Sequence, residues 1–591
     1  MGSFYKKGNG FLFGFFHLPR RGMYAILKAK QEALRSLKIA LDKSHAPAMG
    51  EIIYPPDPSF GDLAYPCFAL AKGWKKAPAE VANELAAKIE PGGWIRKAEA
   101  RGPYVNFFLS DVFFGKAVLD EIGAGGTAYG TGNGGFGKRV LVEYANMNTH
   151  KELHVGHARN LFVGQAAVMV LRSGGYDVTP VSYLNDLGMH VAKIIWGLEK
   201  FHAGEEPPKE ERDAFLQKVY VEAERVFEED PSAKEEISRV YKKLESGEKG
   251  PLLALWKKTR KWSLDSLKAT FHELDLPIQA WYLESQFIRK TRELLEDLIR
   301  RGIVTHSQGA WIVDLASEGL GVYLLVRSDG TLLYYAKDLA LAYKKEEDFH
   351  PEKSIYVVDN RQSLAMKQLF ATLKRMGFKK DLVHLSYDFV TLKEGAMSSR
   401  KGTIIRYRDF QDSVVSSARE ETEKRHPDWK PKKVEKTAKA IGLAAMQFGM
   451  LRQDPNKSIV FDIKEAVSFE GFTGPYLLYS VARIASLLKK AGQVSSSFDA
   501  KQWTQPLEHH LLLWLARYPE VVATTVQDFR FDRIAQFLFD LAKLFSAFYA
   551  EVPVLQAEEK VRQARLALVG AVGQTLRNGL SLLGIKTVEE M

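Results

Sequence analysis

The sequence predicts a multidomain α/β protein, in which a doubly wound parallel-sheet domain lies between a small α+β domain and an all-helical domain. With 591 residues, the chain is too long for a single hydrophobic core. In its central part, short apolar runs alternate with long helical patterns, which is typical of a parallel sheet. From about Thr437 onward the pattern is almost wholly helical, which indicates a separate helical bundle.

Shifts in composition set the predicted domain boundaries. These are a tail over 1–22, a first domain over 23–125, a glycine-rich linker over 126–137, a central domain over 138–450 and a helical domain over 451–591. The tail has a short apolar run but no clear signal-peptide cleavage site. Because a helical pattern begins at Met23, we interpret the tail either as an expression remnant or as extra sequence that results from a start codon placed too early.

Charge and cysteine content limit the kinds of partner and metal site that the chain can have. The formal net charge is 83 − 72 = +11, which suits a polyanionic partner or simply a solvated basic surface. Cys67 is the only cysteine, so an intrachain disulfide and a cysteine-based zinc site are both excluded. No apolar run reaches the roughly 20 residues of a membrane span. We therefore expect no membrane association, no zinc and a cytoplasmic location.

The first domain combines helical and strand patterns. Apolar residues recur at helical spacing over 24–42 and 79–89, and 104–109 is typical of a strand. The glycines of 126–137 mimic two nucleotide-binding signatures, G-x-G-x-x-G and a P-loop. Both signatures need a strand before the glycines and a helix after them, whereas here a strand follows. We therefore interpret the segment as a flexible linker.

In the central domain, four buried-strand patterns lie over 139–144, 178–184, 354–358 and 382–385. Residues 199–250 form a charged helical insertion, for which solvation is a sufficient explanation.

Two histidines follow the first strand of the central domain, where a long helix begins. His154 and His157 are three residues apart, so their imidazoles lie on one face of the first turn. A helix N-terminus at the carboxyl end of a parallel strand offers N–H groups and partial positive charge to phosphate. Lys151 adds charge, and Gly156 leaves room for a flat base. The alternative is a helix cap with surface histidines.

The run from His154 to His157 resembles the HIGH signature of class I aminoacyl-tRNA synthetases. The KMSKS loop, the second signature of that class, has a counterpart over 395–402, whose cations, hydroxyls and glycines suit closure over a triphosphate. Its candidates for the reaction and for ATP contacts are Met397, Ser398, Ser399, Arg400 and Lys401. Ala396 and Ser399 stand where the general pattern has lysines. This departure resembles the arginyl branch of the class, in which a lysine at the position of Lys151 supplies the missing charge.

Further stretches, together covering roughly residues 45–591, are similar to the arginyl-tRNA synthetase family. The resemblance implies the arginine-binding residues Glu143, Asn148, His154, Tyr334, Asp338 and Gln362. Carboxylates, an aromatic face and an amide suit a planar, charged guanidinium. Taken singly, Asp338 could be a helix surface charge and Gln362 a cap. Ala365 departs from the family, which often has histidine there.

The resemblance also implies contacts with tRNA. The expected residues are Asn106, Phe108, Tyr476, Tyr479, Arg483, Tyr549 and Met591. Aromatic rings can stack on unpaired bases and arginine can bind phosphate, although for each tyrosine a place in the helical core is the alternative, and Phe108 is as well explained as a core residue.

The implied reaction is attack of the arginine carboxylate on the α-phosphorus of ATP, followed by transfer of arginine to the terminal ribose of tRNA(Arg). The implied partners are L-arginine, ATP with Mg²⁺ and tRNA(Arg), with no protein-bound metal and a monomeric chain. Two alternatives stay open: an RNA-binding protein that has lost catalysis, and a class I enzyme for another amino acid such as cysteine or glutamate.

Overall fold

The computed structural model describes residues 17–18, 22–41, 47–393, 405–493, 495 and 497–591. Within these residues the chain forms an α+β domain, a parallel-sheet domain and a helical domain, as the sequence predicts. No helix among them is long and apolar enough to cross a membrane.

The first domain packs helices against a small antiparallel sheet. Its elements are strands β1 (His17–Leu18) and β2 (Gly22–Met23), helix α1 (Ala25–Ala40), β3 (Leu63–Pro66), α2 (Phe68–Trp74), α3 (Pro78–Lys88), β4 (Ile95–Arg101), β5 (Tyr104–Leu109) and α4 (Lys116–Gly125). The sheet has the order β3-β5-β4. The central strand β5 buries Val105, Phe107 and Leu109, so one apolar strand supplies much of the core.

The glycine-rich segment over 126–137, expected to be flexible, packs closely between the domains. Tyr129 is buried, and its hydroxyl donates to the carbonyl of Leu515 at 2.9 Å. Gly130 has a φ of 93°, and a Cβ there would lie 2.3 Å from the ring of Tyr518. This glycine therefore serves close packing against the helical domain, a use that the composition does not distinguish from flexibility.

The central domain alternates strands and helices and carries two insertions. Its elements are β6 (Arg139–Glu143), α5 (Val155–Ser173), β7 (Asp177–Leu184), α6 (Met189–Phe201), α7 (Arg212–Glu229), α8 (Pro231–Ser246), α9 (Pro251–Glu273), β8 (Ala280–Leu283), α10 (Ile288–Arg300), β9 (Thr305–Ser307), β10 (Ala310–Asp314), β11 (Val322–Val326), α11 (Tyr334–Phe349), β12 (Lys353–Asp359), α12 (Ser363–Arg375) and β13 (Asp381–Tyr387).

The main sheet has the order β13-β12-β6-β7-β8, and all its strand pairs are parallel. The chain proceeds from β6 through β7 to β8 on one side and then crosses to β12 and β13 on the other. Strand order therefore reverses between β6 and β12. In doubly wound sheets this switch point, at the carboxyl ends of the strands, is where ligands bind.

The charged insertion is more than a solvated surface. Helices α6 to α9 enclose an apolar cluster of their own, with Leu216, Val219 and Ile237 fully buried. The expectation that solvation alone explains the segment over 199–250 is therefore wrong, because a charged outer face hides an amphipathic inner one. A second insertion forms the antiparallel sheet β11-β10-β9, which the sequence patterns did not reveal.

The last part of the chain is mainly helical and contains one short strand pair. Its elements are β14 (Val390–Leu392), α13 (Tyr407–Arg425), α14 (Pro431–Leu451), β15 (Ile459–Phe461), α15 (Ile463–Ala466), α16 (Gly474–Ala491), α17 (Pro506–Asp528), α18 (Phe531–Glu551) and α19 (Glu559–Leu582). Strands β14 and β15 pair in parallel, and the long helices share a continuous core with α5.

Candidate active site

The turn after β6 brings the predicted site residues to the switch point of the sheet. Ala145 has a φ of 60°, a region that non-glycine residues rarely adopt. Its amide donates to Oδ1 of Asn160 at 2.8 Å, and its carbonyl accepts from the hydroxyl of Ser182 at 2.8 Å. The flanking helix and strand thus hold the turn, which directs Asn148 and the start of α5 toward the carboxyl ends of the strands.

His154 and His157 form a stacked pair at the N-terminus of α5. Their ring centroids lie 3.6 Å apart with an interplanar angle of 22°. Nδ1 of His157 accepts from the backbone N–H of His154 at 3.1 Å, so His157 does help to cap the helix. Both side chains are partly buried, so His154 and His157 are not surface histidines. A Cβ at Gly156 would lie 3.0 Å from the ring of His154, so glycine permits this close stacking.

Both histidines are neutral near pH 7. Burial, together with the neighbouring His154 and Lys151, lowers the pKa of His157 to about 3. Burial, with the charge of Arg361, also lowers the pKa of His154. A neutral imidazole still carries one N–H donor, so the pair can donate hydrogen bonds to phosphate without carrying a charge.

The chain on the far side of the predicted KMSKS-like loop is fixed to this helix start. The N–H of Val155 donates to the carbonyl of Ile405 at 3.1 Å, and the N–H of Tyr407 donates to the carbonyl of Leu153 at 2.7 Å. The predicted residues Met397, Ser398, Ser399, Arg400 and Lys401 lie outside the described residues. Their flanking backbone at Ile405 nevertheless lies directly beside the histidines.

Arg159, which the sequence patterns do not single out, joins α5 to the segments that precede β14 and β15. It is fully buried, and its Nη1 donates to the carbonyls of Asp388 at 2.6 Å and Lys457 at 2.8 Å. Its partners precede β14 and β15, so one guanidinium holds both segments against the helix that carries the histidines. Local sequence gives no signal for this, because the partners are backbone carbonyls 229 and 298 residues away.

Lys151 is held by the charged insertion. Its Nζ lies 4.6 Å from the ring centroid of Tyr220 on α7, a cation–π distance. Burial lowers the pKa of Lys151, and the nearby carboxylate of Glu224 opposes that shift. Glu224 in turn pairs with Lys193 at 2.8 Å. The insertion thus reaches the catalytic strand–helix turn.

A cavity of about 380 Å³ lies between β6, β7, β12 and α11. Five of the six residues predicted to bind arginine line it: Glu143, Asn148, Tyr334, Asp338 and Gln362. Ala365 also forms part of the wall. His154, the sixth, is not among the residues that line this cavity. Its assignment to arginine, like its predicted place beside ATP, stays a prediction.

The carboxylates in the cavity differ in their partners. Glu143 is buried, pairs with Lys345 and accepts from Nδ2 of Asn146 at 2.9 Å. Asp338 extends into the cavity, and among the described residues it has no hydrogen-bond donor. Burial and the like charges of Glu143 and Glu284 raise the pKa of Asp338 well above its usual range. The site is thus short of one positive charge next to Asp338.

The residues at the rim of the cavity contact one another. Tyr334 is the first residue of α11, and Asp338 follows one turn later on the same face, as the spacing predicts. The hydroxyl of Tyr334 donates to Oε1 of Gln362 at 3.3 Å. Because Tyr334 is 39% exposed, its ring lies at the mouth of the cavity and can cover a bound ligand.

Three of the predicted tRNA residues of the helical domain, Tyr479, Arg483 and Tyr549, lie close together. The guanidinium carbon of Arg483 lies 4.2 Å from the ring centroid of Tyr549 and 5.9 Å from that of Tyr479. Tyr476 lies one turn earlier and packs edge-on against Phe539. Met591, at the end of the chain, is partly buried against the same core.

The two residues expected to bind tRNA in the first domain differ in exposure. Asn106 is 2% exposed, although strand alternation places it on the same face of β5 as Phe108. Phe108 is half-buried, with Nζ of Lys97 lying 5.2 Å from its ring centroid. Of the two, Phe108 has an accessible face next to a cation, whereas Phe107 is the residue that fills the core.

Comparisons with protein families assign each part of the chain. The family described as tRNA synthetases class I (R), catalytic domain, matches residues 128–463, more than half of the chain. The DALR anticodon binding domain matches residues 477–591, and the arginyl tRNA synthetase N terminal domain matches residues 26–109.

Whole-chain relatives agree with these matches. The chain is 38% identical to the arginine–tRNA ligase of Bdellovibrio bacteriovorus over 551 residues, covering 91% of this chain and 94% of the relative. It is 34% identical to that of Clostridium perfringens, with coverage of 91% and 95%. The solved arginyl-tRNA synthetase of Thermus thermophilus matches with a TM-score of 0.78 at 29% identity, covering 95% of this chain and all of that one. The chain therefore belongs to the arginyl-tRNA synthetase family.

Proposed function

We propose that this chain is an arginine–tRNA ligase that activates L-arginine in the cavity lined by Glu143 and Asp338 and then transfers it to tRNA(Arg). The observation that carries the proposal is the carboxylate of Asp338, which extends into a buried cavity without a donor of its own. A guanidinium always carries its charge and presents five N–H donors in one plane. Its arrival would supply the missing positive charge and lower the pKa of Asp338 again.

The other end of the substrate fits the mouth of the cavity. Asn148 and Gln362 present amide groups there, which suit the α-amino and carboxylate groups of an amino acid. This orientation places the reacting carboxylate toward the start of α5, where His154 and His157 lie. The side chain is then recognised in the buried part and the reacting group is left at the opening.

The start of α5 is the proposed site of ATP. Neutral His154 and His157, the partial positive charge at the start of the helix and nearby Lys151 can hold the phosphates, with Gly156 against the nucleotide. Mg²⁺ prefers phosphate oxygens and water, and therefore enters as part of the substrate MgATP. We assign Met397, Ser398, Ser399, Arg400 and Lys401 to closure over the triphosphate on their resemblance alone.

No side-chain nucleophile takes part in the proposed reaction. The arginine carboxylate displaces pyrophosphate from the α-phosphorus, and a ribose hydroxyl of tRNA then displaces AMP. Catalysis consists of alignment and of stabilising charge on the phosphates. The rigid turn after β6 and the clamp made by Arg159 favour such alignment, because they hold the strand, the helix and the loop flank together.

The proposed tRNA contacts lie in the helical domain and in the first domain. Tyr479, Arg483 and Tyr549 offer two rings and a cation for unpaired anticodon bases. Tyr476 and Met591 are assigned to tRNA on resemblance. Phe108 and Asn106 are assigned to the tRNA body, the latter on resemblance. A net charge of +11 favours the polyanion. We further propose that the chain acts as a monomer in the cytosol.

The test is ATP–pyrophosphate exchange with each of the twenty amino acids, with and without total tRNA. We expect exchange with arginine alone and only when tRNA is present. Exchange with another amino acid would assign the cavity to a different substrate. No exchange under any condition would favour an RNA-binding protein that has lost catalysis, with Ala396 and Ser399 as the first residues to restore to lysine.

A further inference from the structure

His150, directly before Lys151 in the turn that leads to α5, has a backbone conformation that residues other than glycine rarely adopt. Its φ is 63°, in the left-handed region. The residue is also buried, so a strained residue lies within the fold, one position from the lysine assigned to the ATP phosphates. Such strain persists only where the surrounding structure imposes it, and it concentrates at functional sites.

Three hydrogen bonds hold this conformation, and two of them come from helix α9. The backbone N–H of His150 donates to the hydroxyl of Ser263 at 2.9 Å. Its Nε2 lies 2.9 Å from the hydroxyl of Thr259, and its Nδ1 lies 2.8 Å from that of Thr149. The hydroxyl of Thr259 donates to the carbonyl of Leu255 at 3.0 Å, so it accepts the N–H of the ring. Nδ1 then accepts from the hydroxyl of Thr149.

The ring of His150 is neutral, and both of its nitrogens are occupied. Burial, together with the nearby His190 and Arg260, lowers the pKa of His150 to about 3. A neutral imidazole has one donor and one acceptor, and the two threonine hydroxyls use both. The ring therefore has no nitrogen left for a ligand, so His150 acts on the reaction by holding its neighbours.

Helix α9 holds the chain after the next strand with the same face. That face bears Trp256, Thr259, Arg260 and Ser263, which are spaced at three or four residues from turn to turn. Nε1 of Trp256 donates to the carbonyl of Asp186 at 2.9 Å, and Nη1 of Arg260 lies 2.9 Å from the carboxylate of Asp186. Asp186 follows β7, as His150 follows β6. One helix thus fixes the chain at the carboxyl ends of two adjacent strands.

We propose that His150 is a positioning residue for the activation of arginine: clamped by α9, it fixes the turn that presents Lys151 to ATP. This inference rests on the proposed function, which assigns Lys151 to the phosphates. One peptide unit joins the two residues, so a turn fixed at His150 sets the direction in which the Lys151 side chain leaves the backbone. Tyr220 holds the other end of that side chain, next to the ammonium group. A reaction without a side-chain nucleophile depends on such alignment.

The experiment removes the hydroxyl that holds the ring. Thr259→Val leaves the ring N–H of His150 without an acceptor, and its matched control is Thr270→Val, also buried on α9 but about three turns later. In tRNA-dependent ATP–pyrophosphate exchange, we expect Thr259→Val to lower kcat about 10-fold. KM for arginine should stay unchanged, because Lys151 acts on phosphate. Thr270→Val should leave both parameters unchanged, and Thr259→Ser, which keeps a hydroxyl, should retain activity.

Lys151→Ala, measured alone and combined with Thr259→Val, separates positioning from a general effect on the fold. The proposal predicts that Thr259→Val changes kcat less than about 2-fold once the lysine is absent, since the threonine acts through it. An equal loss in both backgrounds, or an unchanged kcat in Thr259→Val alone, would overturn the proposal and leave the proposed function standing. Full activity of Lys151→Ala would instead overturn the assignment of Lys151 to ATP, and this inference with it.

Discussion

At the scale of single residues, the proposed binding of arginine depends on which charges in the cavity have partners. Glu143 and Glu284 are each paired with a lysine, whereas Asp338 has no donor among the described residues. Removing a charge from water without a partner disfavours its charged form, which explains the raised pKa of Asp338. The same physics makes the site selective for a cation that fits next to Asp338.

The raised pKa predicts how arginine binding depends on pH. Since the free protein binds a proton at Asp338 more tightly than an ordinary aspartate does, arginine must displace that proton. KM for arginine should therefore fall as pH rises through the raised pKa, at a pH above the usual carboxyl range. Saturation kinetics over a series of pH values check this. The dependence should be absent in Asp338→Asn, and an identical profile in that variant would contradict the assignment.

How much of the site is predictable differs from residue to residue. Tyr334 and Asp338 share a helix face by spacing alone, and their common cavity was therefore foreseeable. His154 and His157 were placed correctly on one turn, but spacing does not reveal that they stack.

At the scale of elements, the helical insertion acts on the site through Lys151. Helix α7 presents Tyr220 to the ammonium group, and Glu224 one turn later links it to Lys193 on α6. The insertion has its own apolar core, so it can hold these side chains rigidly. Local charge patterning predicted a solvated surface here, since it records only the outward face of the helices.

We predict that Tyr220→Ala weakens activation through Lys151. A cation–π contact of this kind stabilises by about 0.5–2 kcal/mol, so kcat for pyrophosphate exchange should fall about 2- to 30-fold, with KM for arginine little changed. Tyr220→Phe keeps the aromatic face and should retain activity. Lys151→Ala should make the Tyr220 change silent, as a double-mutant cycle would show. Additive losses in the double variant would mean that Tyr220 acts elsewhere.

At the scale of the whole molecule, the first domain and the helical domain are joined by an ion cluster. His509 on α17 lies between two carboxylates of the first domain, 2.6 Å from Asp62 and also bonded to Asp111. Although burial opposes its charge, the hydrogen bonds that His509 donates to Asp111 and Asp62 raise its pKa to about 10. Domain order was predictable from composition, whereas this junction was not, because its members are 398 and 447 residues apart.

This junction should make stability fall in alkaline solution. A histidine whose folded pKa is raised stabilises the fold fully below its unfolded pKa of about 6.5 and loses that contribution as pH rises toward 10. His509→Asn should lower stability at pH 6.5 by about 1–3 kcal/mol, less than a fully buried pair because His509 is partly exposed. Thermal unfolding at pH 6.5 and 9.5 measures both the loss of stability in the variant and the dependence of stability on pH. Equal pH dependence in the variant would contradict the role of His509.

The central claim is that Asp338 selects the guanidinium of arginine in the cavity at the switch point of the sheet. The most direct test is tRNA-dependent pyrophosphate exchange by the unaltered protein and by Asp338→Asn, with arginine and with citrulline, its uncharged analogue. The account predicts that the variant loses at least 100-fold in kcat/KM for arginine, about 2.7 kcal/mol, while its ratio of citrulline to arginine activity rises. Unchanged arginine kinetics in Asp338→Asn would contradict the claim.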